Sequence, residues 1–557
     1  MGTDRTTPPT GPARGAGVSA PRALAVGVCM ALAFLAVSAQ LVRLAAMGQP
    51  EARVALPRPF AETYARPDIV DRNGRLLATD VATPTLYADS SLILDADEVI
   101  ERLTNILPDL AAKVLRPALT DRSRRFVRLR RGLAPATAQR IHDLGLPGLY
   151  FRDEPKRVYP AGALAGHVLG QVSADNKGLS GIERHIDDSL GSAGAPGALA
   201  GQNAPVRLSL DLGAQHTLEA ELQAAVARHQ AQGAAGVVMD AATGEVLAAA
   251  SIPEIDPAHP AQSLDEGFLD KLATGTYELG SVFKSMTIAI ALEAGTATLD
   301  KVYDVRATLH AGPYVIRDLH AAGRPLSVRE IFIYSSNVGA GLMALELGAE
   351  RQRAFLARLG LVDAIRTEAG PITAPNLPAA WGQAETITIG YGHGLAVAPL
   401  QFTAAAAALV NGGFRVKPTF LAPTAANVAR ALRVLRPETS AAMRELMRSN
   451  VTSPYGTGRQ ADVPGYEVGG KTGTAEIPGQ GGYRESAVIS SFLASFPMSA
   501  PRYVVLIVLY EPRPTAETKG QITAGVNAAP TAGRLIARVA PILGILPKVK
   551  PVAEARR

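Results

Sequence analysis

The most informative segment of the chain is Tyr277-Glu-Leu-Gly-Ser281-Val-Phe-Lys284, which precedes the apolar run Ser285–Leu292. This pattern predicts a helix that opens just after Gly280. Ser281 and Lys284 are three residues apart, so their side chains lie on one face of that helix, one turn from each other. A serine hydroxyl is a poor nucleophile and needs an adjacent base. The segment therefore predicts a nucleophile and its base at the start of a helix.

Two further motifs follow in a fixed order. Ser335-Ser336-Asn337 begins 54 residues after Ser281, and Lys471-Thr472-Gly473-Thr474 lies far downstream in a glycine-led strand pattern. Each motif alone is weak, because Ser-x-x-Lys occurs by chance in many proteins. The three motifs in this order are typical of penicillin-binding proteins and class A β-lactamases, which are serine acyltransferases.

The residue types in these motifs suit acyl transfer. Lys284 can act as a base only if its ammonium form is destabilised, by burial, by a helix N-terminus or by a second cation such as Lys471. Ser335 can relay a proton to the leaving amine, and Asn337 can hold a substrate amide or Lys284. Backbone N–H groups at the helix start, together with that of Thr474, can form an oxyanion hole. The predicted catalytic residues are Ser281, Lys284, Ser335, Asn337 and Lys471, and the predicted substrate-binding residues, for a carboxylate, are Thr472, Gly473 and Thr474.

A competing motif overlaps the third one. Gly465–Thr472 fits the G-x-x-x-x-G-K-[ST] pattern of phosphate-binding loops. That interpretation requires a helix directly after Lys471-Thr472, whose N-terminus would meet the phosphates. The sequence continues instead as Gly473–Gly482, which is rich in glycine and contains Pro478, so it cannot be a helix. The pattern therefore argues against a nucleotide-binding enzyme.

Length and composition limit the number of domains, the kind of binding partner and the possible metal sites. The 557 residues predict three or four domain-sized pieces, and the net charge of +6 suits an anionic polymer or a membrane surface. The single cysteine, Cys29, excludes an intramolecular disulfide and a cysteine metal cluster. The nine histidines lack the His-Glu-x-x-His spacing of zinc hydrolases.

The first 42 residues predict a membrane anchor. Ala23–Val42 is free of charge over 20 residues, which is enough to span a bilayer as a helix. The 22 residues before it contain three arginines and one aspartate, so the positive-inside rule places them in the cytoplasm and the rest of the chain outside. The predicted location is the cell inner membrane, single-pass, with a periplasmic catalytic domain. The alternative is a cleaved signal peptide, because Val37-Ser38-Ala39 resembles a cleavage site.

Six arginines lie between Arg122 and Arg131, interleaved with apolar residues. Such a run can bind nucleic acid, or it can form a solvated strand face or a salt-bridged surface. The predicted export of this region favours the second interpretation, and no nucleic acid is predicted as a partner.

Beyond the linker-like Gly191–Pro205, the periodicity becomes regular. Strand patterns at Gly236–Met239, Val246–Ala250, Ala487–Phe496 and Tyr503–Tyr510 enclose a series of helical patterns. The order predicts an α+β fold in which a sheet is interrupted by a helical block. The predicted divisions are a cytoplasmic tail at 1–22, a transmembrane helix at 23–42, an N-terminal domain at 43–205, a catalytic domain at 206–545 and a basic C-terminal tail at 546–557.

These motifs and their surroundings resemble the class B penicillin-binding proteins and, within them, the cell-division peptidoglycan D,D-transpeptidases of the penicillin-binding protein 3 type. The resemblance extends from the membrane segment to about residue 540. Its main elements are IVDRNGRLLA (69–78), RVYPAGALAGHVLGQV (157–172), GLSGIERHIDDSL (178–190), YELGSVFK (277–284), IRDLH (316–320), YSSNVGA (334–340), ITIGYGHGLAVAPLQ (387–401) and VGGKTGTAE (468–476).

The resemblance implies a membrane anchor, an elongated mixed pedestal (the penicillin-binding protein dimerisation domain) and a transpeptidase domain. That domain would have an antiparallel sheet flanked by helices and an all-helical subdomain. Ser281 would attack the penultimate D-Ala of a stem peptide, expel the terminal D-Ala and pass the acyl group to an amine on a neighbouring stem, forming a 4,3 cross-link. β-Lactams would acylate Ser281. Implied partners are a SEDS-family glycosyltransferase of the FtsW type and other divisome membrane proteins. No metal or organic cofactor is implied.

Other activities share parts of this pattern. An elongation-specific class B transpeptidase would have the same motifs, and a D,D-carboxypeptidase would have the same site with water as acceptor. A class A β-lactamase uses an extra glutamate, but no glutamate between Asn337 and Lys471 is followed by x-x-Leu-Asn. A non-catalytic β-lactam-binding scaffold would be expected to have damaged motifs, whereas all three are intact here.

Overall fold

The computed structural model describes residues 20–46, 65–123, 125–190, 204–312, 314–319, 322–422, 431–479 and 482–548. The predicted N-terminal tail, the linker at 191–205 and the basic C-terminal tail lie mostly outside these residues. The chain divides into two units, Met1–Ala61 and Glu62–Arg557.

The described part of the first unit is one helix, α1, at Ala20–Ala46. It covers the apolar run at 23–42. By length and hydropathy, none of the helices among the described residues qualifies as a membrane span.

The second unit begins with a mixed domain, as predicted. Its sheet has the strand order β3-β2-β1-β5, and β4 pairs antiparallel with β2 from Thr79↔Val158 to Ala88↔Leu149. The strands are β1 Ile69–Val70, β2 Leu76–Ala88, β3 Val127–Arg130, β4 Leu149–Val158 and β5 Val206–Arg207. The helices are α2 Ala96–Ile106, α3 Ala112–Thr120, α4 Pro135–His142, α5 Gly166–Leu169 and α6 Gly181–Leu190.

A buried ion network fixes α6 against β2 and β4. Glu183 on α6 is fully buried and accepts hydrogen bonds from Arg66 Nε at 2.8 Å, Arg157 Nε at 2.6 Å and Tyr159 at 3.2 Å. Arg157 also donates to Asp80 on β2 at 3.3 Å. Each buried charge therefore has an opposite charge beside it, which is the condition under which burial of ions is tolerated.

The arginine-rich segment contributes to salt bridges. Arg130 pairs with Asp109, and Arg128 and Arg131 both pair with Asp175. These pairs agree with the salt-bridged surface considered from the sequence.

The larger part of the second unit is built on one five-stranded antiparallel sheet, in the order β16-β17-β18-β6-β7. Its register aligns Lys471 with Leu493, Leu493 with Leu506 and Leu506 with Val237. Every residue of β18 is buried, because helices cover both faces of the sheet. The strands of this sheet are β6 Gly233–Asp240, β7 Val246–Ile252, β16 Gly469–Gly479, β17 Gly482–Phe496 and β18 Tyr503–Tyr510. The helices on one of its faces are α7 Leu212–His229 and α15 Ala528–Ile542. The α+β arrangement predicted from the sequence is confirmed.

The segment between β7 and β16 is the helical block. It is not all-helical as predicted, because short antiparallel strand pairs form within it, one of them across a turn at Gly312, whose φ is +60°. The helices are α8 Lys284–Glu293, α9 Val328–Tyr334, α10 Asn337–Leu347, α11 Ala349–Leu359, α12 Gln383–Tyr391, α13 Pro399–Ala407 and α14 Pro437–Thr452. The short strands are β8 Val302–Tyr303, β9 Leu309–Ala311, β10 Tyr314–Ile316, β11 Leu326–Ser327, β12 Ile365–Thr367, β13 Gly370–Ile372, β14 Phe414–Arg415 and β15 Leu432–Arg433.

Strand β16 also settles the competing phosphate-loop interpretation. Lys471 and Thr472 lie inside β16, which continues as a strand to Gly479. A phosphate-binding loop would have a helix at this point. The structure therefore contradicts the nucleotide-binding alternative.

Candidate active site

Ser281 lies in a 3₁₀ turn, Gly280–Phe283, that runs into α8 at Lys284. The predicted helix therefore opens with a tighter turn. Because a 3₁₀ helix has three residues per turn, the side chains of Ser281 and Lys284 are in line with each other. The Nζ atom of Lys284 lies 3.0 Å from the Oγ atom of Ser281.

Gly280 allows this turn to contact β16. Its φ is +62°, and a Cβ atom at this position would lie 2.7 Å from the carbonyl oxygen of Thr474. Any larger residue would push the turn away from the strand. The glycine before the serine thus brings the nucleophile and β16 together.

The buried amine of Lys284 has three other acceptors. These are the Ser335 carbonyl oxygen at 2.5 Å, Asn337 Oδ1 at 2.7 Å and Ser335 Oγ at 3.1 Å. A neutral amine has two hydrogens and one lone pair. The two shortest contacts are to the Ser335 carbonyl oxygen and Asn337 Oδ1, which can only accept hydrogen bonds. These two oxygens can therefore take both hydrogens of the Lys284 amine, and its lone pair stays available for the hydroxyl hydrogen of Ser281.

The protonation of Lys284 fits this arrangement. Burial lowers the pKa of Lys284 to about 7, against the opposing influence of the Asp318 carboxylate. A large fraction of the amine is therefore neutral near pH 7. Of the two roles considered for Asn337, the structure shows contact with Lys284.

Lys471 lies on the other side of Ser335. Its Nζ atom is 2.8 Å from Ser335 Oγ and 3.0 Å from the Thr472 carbonyl oxygen. Burial, and then the charge of Lys284, lower the pKa of Lys471 well below its usual value. The Ser335 hydroxyl thus bridges two buried amines, a geometry that suits a proton relay.

Asp318 organises the Ser335-Ser336-Asn337 motif. Its Oδ2 atom accepts from the Ser336 hydroxyl at 2.6 Å, and its Oδ1 atom accepts from the backbone N–H groups of Asn337 at 2.6 Å and Val338 at 3.0 Å. These contacts cap the N-terminus of α10. In the sequence, Asp318 was noted only as part of the segment IRDLH. Its capping function could not be predicted there, because the groups that it caps lie 18 to 20 residues further along the chain.

We expect Asp318→Ala to reduce the rate of Ser281 acylation by about 10- to 100-fold, because small displacements of catalytic groups have effects of this size. The acylation rate with a fluorescent penicillin measures this. Asp304→Ala, which removes an exposed carboxylate paired with Arg306, is the matched control. A D318A rate within twofold of the unmodified protein would contradict this assignment.

The remaining motif residues lie along β16. The Thr472 hydroxyl donates to the Thr457 hydroxyl at 2.6 Å, and the Thr474 hydroxyl accepts from the Ala524 N–H at 3.1 Å. Gly473 packs against the nucleophile turn, since a Cβ atom there would lie 2.3 Å from the Leu279 carbonyl oxygen. All eight predicted site residues are thus brought to one region, while the substrate-binding roles on β16 stay predictions.

His393 is a neighbour that sequence reasoning missed as a site residue. Burial, and then the charge of Lys284, lower the pKa of His393 to about 4, so its ring is neutral at pH 7. Among the described residues, no group of three or more His, Cys, Asp or Glu side chains is placed to hold a metal ion. A serine hydroxyl beside two buried lysine amines, as found here, suits acyl transfer.

Comparison with known proteins agrees with this geometry. The family model for the penicillin binding protein transpeptidase domain matches residues 234–533, and the model for the penicillin-binding protein dimerisation domain matches residues 62–196. The probable peptidoglycan D,D-transpeptidase FtsI of Caulobacter vibrioides is 39% identical over 88% of this chain and 83% of its own length. Peptidoglycan D,D-transpeptidase FtsI of Escherichia coli is 28% identical over 86% of this chain and 84% of its own length.

A solved structure shows the same fold. Penicillin-binding protein 3 from Mycobacterium tuberculosis, complexed with ampicillin, superposes with a TM-score of 0.67 at 25% identity. The match covers 88% of this chain and 98% of that one. Together with the three motifs around Ser281, these matches show that the chain belongs to the family of penicillin-binding protein transpeptidases.

Proposed function

We propose that the chain is a peptidoglycan D,D-transpeptidase that cross-links stem peptides at the division septum. The observation that carries this proposal is the 3.0 Å contact between Ser281 Oγ and the buried Lys284 amine, whose hydrogens are engaged elsewhere. The septal role is supported by the relatives named FtsI.

The first half of the reaction forms an acyl-enzyme. Lys284 Nζ takes the hydroxyl proton of Ser281, and Oγ attacks the carbonyl carbon of the penultimate D-Ala. Backbone N–H groups of the 3₁₀ turn and of Thr474 stabilise the oxyanion. The C–N bond then breaks, and the leaving amine of the terminal D-Ala receives a proton through Ser335 from the lysine pair.

The second half transfers the acyl group. The neutral amine of a neighbouring stem attacks the Ser281 ester, and its proton passes to the lysine pair. The C–O bond breaks, and Ser281 Oγ regains a proton from Lys284. The products are a 4,3 cross-link and free enzyme.

The β16 residues are proposed to bind the terminal carboxylate of the donor. Lys471 supplies N–H hydrogen-bond donors, while Thr472 and Thr474 supply hydroxyls on one face of the strand. A β-lactam has a carboxylate beside a strained amide, so it would occupy the same place and acylate Ser281. Its ring-opened amine stays attached to the adduct.

The chain's placement in the cell is part of the proposal. The charge-free run at 23–42 supports a single-pass anchor in the inner membrane, with a pedestal at 43–205 and a periplasmic transpeptidase domain at 206–545. A SEDS-family glycosyltransferase of the FtsW type and other divisome proteins are proposed as its partners, as the resemblance to cell-division transpeptidases implies.

The proposed reaction predicts one covalent adduct with benzylpenicillin. Intact-protein mass spectrometry should show the mass of a single penicillin, and peptide mapping should place it on Ser281. A second assay follows a stem pentapeptide. Formation of cross-linked dimer supports a transpeptidase, whereas release of D-Ala without dimer supports the carboxypeptidase alternative. No adduct, or an adduct at another residue, would reject the proposed mechanism.

A further inference from the structure

A cavity of about 540 Å³ lies beside the nucleophile turn. Its walls come from Thr276–Glu278, just before that turn, from Asn376–Pro378, from Gly394 and Ala396, and from Glu476–Pro478 and Ile489 of the sheet. Glu278 accepts from the Gly394 N–H at 2.8 Å. The segments that hold Ser281 in place therefore also form this cavity.

Two carboxylates face this cavity, Glu278 and Glu476. Among the described residues, neither Glu278 nor Glu476 has a lysine, arginine or histidine within ion-pair distance. The ion pairs found among those residues all involve other carboxylates. Glu278 accepts one hydrogen bond from Gly394 and a longer one, 3.3 Å, from the Tyr483 hydroxyl. Burial raises the pKa of Glu278, which is the expected behaviour of a carboxylate that lacks a counter-charge.

Aromatic rings complete the environment of Glu278. Burial, and then the charge of Glu278, raise the pKa of Tyr391 to about 12, and the same two causes raise that of Tyr483. The rings of Tyr391 and Tyr483 both lie within 6 Å of the His393 ring, which stands between them. Neither tyrosine is among the residues that line the cavity, so the carboxylate of Glu278 itself is the group that would attract an ammonium ion there.

The cavity lies where one residue of a donor peptide bound along β16 would be placed. β16 is the terminal strand of its sheet, so an extended peptide can pair with its free edge. Glu476 is two residues beyond Thr474, about 7 Å along the strand and on the same face. A donor whose reacting carbonyl lies near Thr474 would therefore place its preceding residue beside Glu476 and the cavity.

The chemistry of that preceding residue follows from the proposed reaction. In a 4,3 cross-link, the acceptor amine belongs to the side chain of the third stem residue. Donor and acceptor stems are copies of one unit, so the third residue of the donor has the same amine. That residue directly precedes the acylated D-Ala, and its free amine is protonated at neutral pH.

We propose that the cavity between Glu278 and Glu476 binds the side-chain ammonium of the donor's third residue, and that Glu278 makes the enzyme selective for it. This inference rests on the proposed transpeptidase function. It assigns Glu278 a part in donor recognition, separate from the bond-making step at Ser281.

The test compares two penicillins with the same unbranched side chain, which ends in a primary amine in one and in an N-acetylated amine in the other. The full-length protein should be acylated about two- to fivefold faster by the amine form, the range expected for a partly screened ion pair. Glu278→Gln should reduce this ratio to about one, and Glu476→Gln should reduce it partly. Glu350→Gln, a charge-matched change in the first turn of α11, should keep the ratio.

The outcomes separate the two proposals. Acylation by both penicillins at equal rates in the unmodified protein, or an unchanged ratio in E278Q, would reject the ammonium site and leave the serine mechanism intact. Absence of acylation by either penicillin would instead reject the proposed function. Thermal denaturation of each variant verifies that a change in ratio does not come from unfolding.

Discussion

Ser281→Ala is expected to abolish covalent labelling by penicillin, with a loss in acylation rate of at least about 10⁴-fold. The reason is chemical: the variant has no oxygen to form the ester, and the Lys284 amine cannot replace it as a stable acyl carrier. The measurement is gel fluorescence and intact mass after incubation with a fluorescent penicillin. Cross-linking of stem peptides should be lost in parallel.

Ser285→Ala is a matched control one residue beyond the lysine. Ser285 is fully buried, and its hydroxyl has no hydrogen-bond partner among the described residues. Removing an unsatisfied buried hydroxyl should leave labelling unchanged and should not destabilise the protein. Normal labelling of S281A, or equal loss in both variants, would show that another residue is the nucleophile or that the helix itself was disturbed.

The motifs alone predicted the reacting pair and the strand that faces it. Ser281 and Lys284 are close in sequence, so helical geometry was enough to place them together. The extended form of β16 could be predicted because Gly473 and Pro478 exclude a helix. These are local properties, and they held in the folded chain.

The residues that sequence reasoning missed act through tertiary contacts. Asp318 caps α10 from a separate loop, and Glu278 meets Tyr483 across a separation of 205 residues. Nothing in the local sequence of a lone carboxylate distinguishes such a cap or cavity wall from a solvated surface acid. The predicted all-helical subdomain was wrong for a related reason, since strands such as β8 and β11 pair although they are far apart in the sequence.

The second large effect concerns Lys284. Its pKa of about 7 predicts a specific pH profile, because only the neutral amine can accept the Ser281 proton. The pKa lies below the ordinary lysine value, so the neutral fraction grows as pH rises through 7. The acylation rate should therefore be low at pH 5.5, increase tenfold per pH unit below about 7, and level off above about 8.

Lys284→Met should reduce acylation by at least about 10³-fold and remove this pH dependence, because methionine fills the buried space without supplying a base. Lys271→Met is the control: burial also lowers the pKa of Lys271, but its amine contacts the Gly267 carbonyl at 3.3 Å and not the serine. A general effect of removing a buried amine would appear in both variants. A K284M rate within tenfold of the unmodified protein, or a flat profile between pH 6 and 8, would mean that the base is another group. Lys471 would then be the next residue to test, because its amine contacts the hydroxyl of Ser335, as that of Lys284 does.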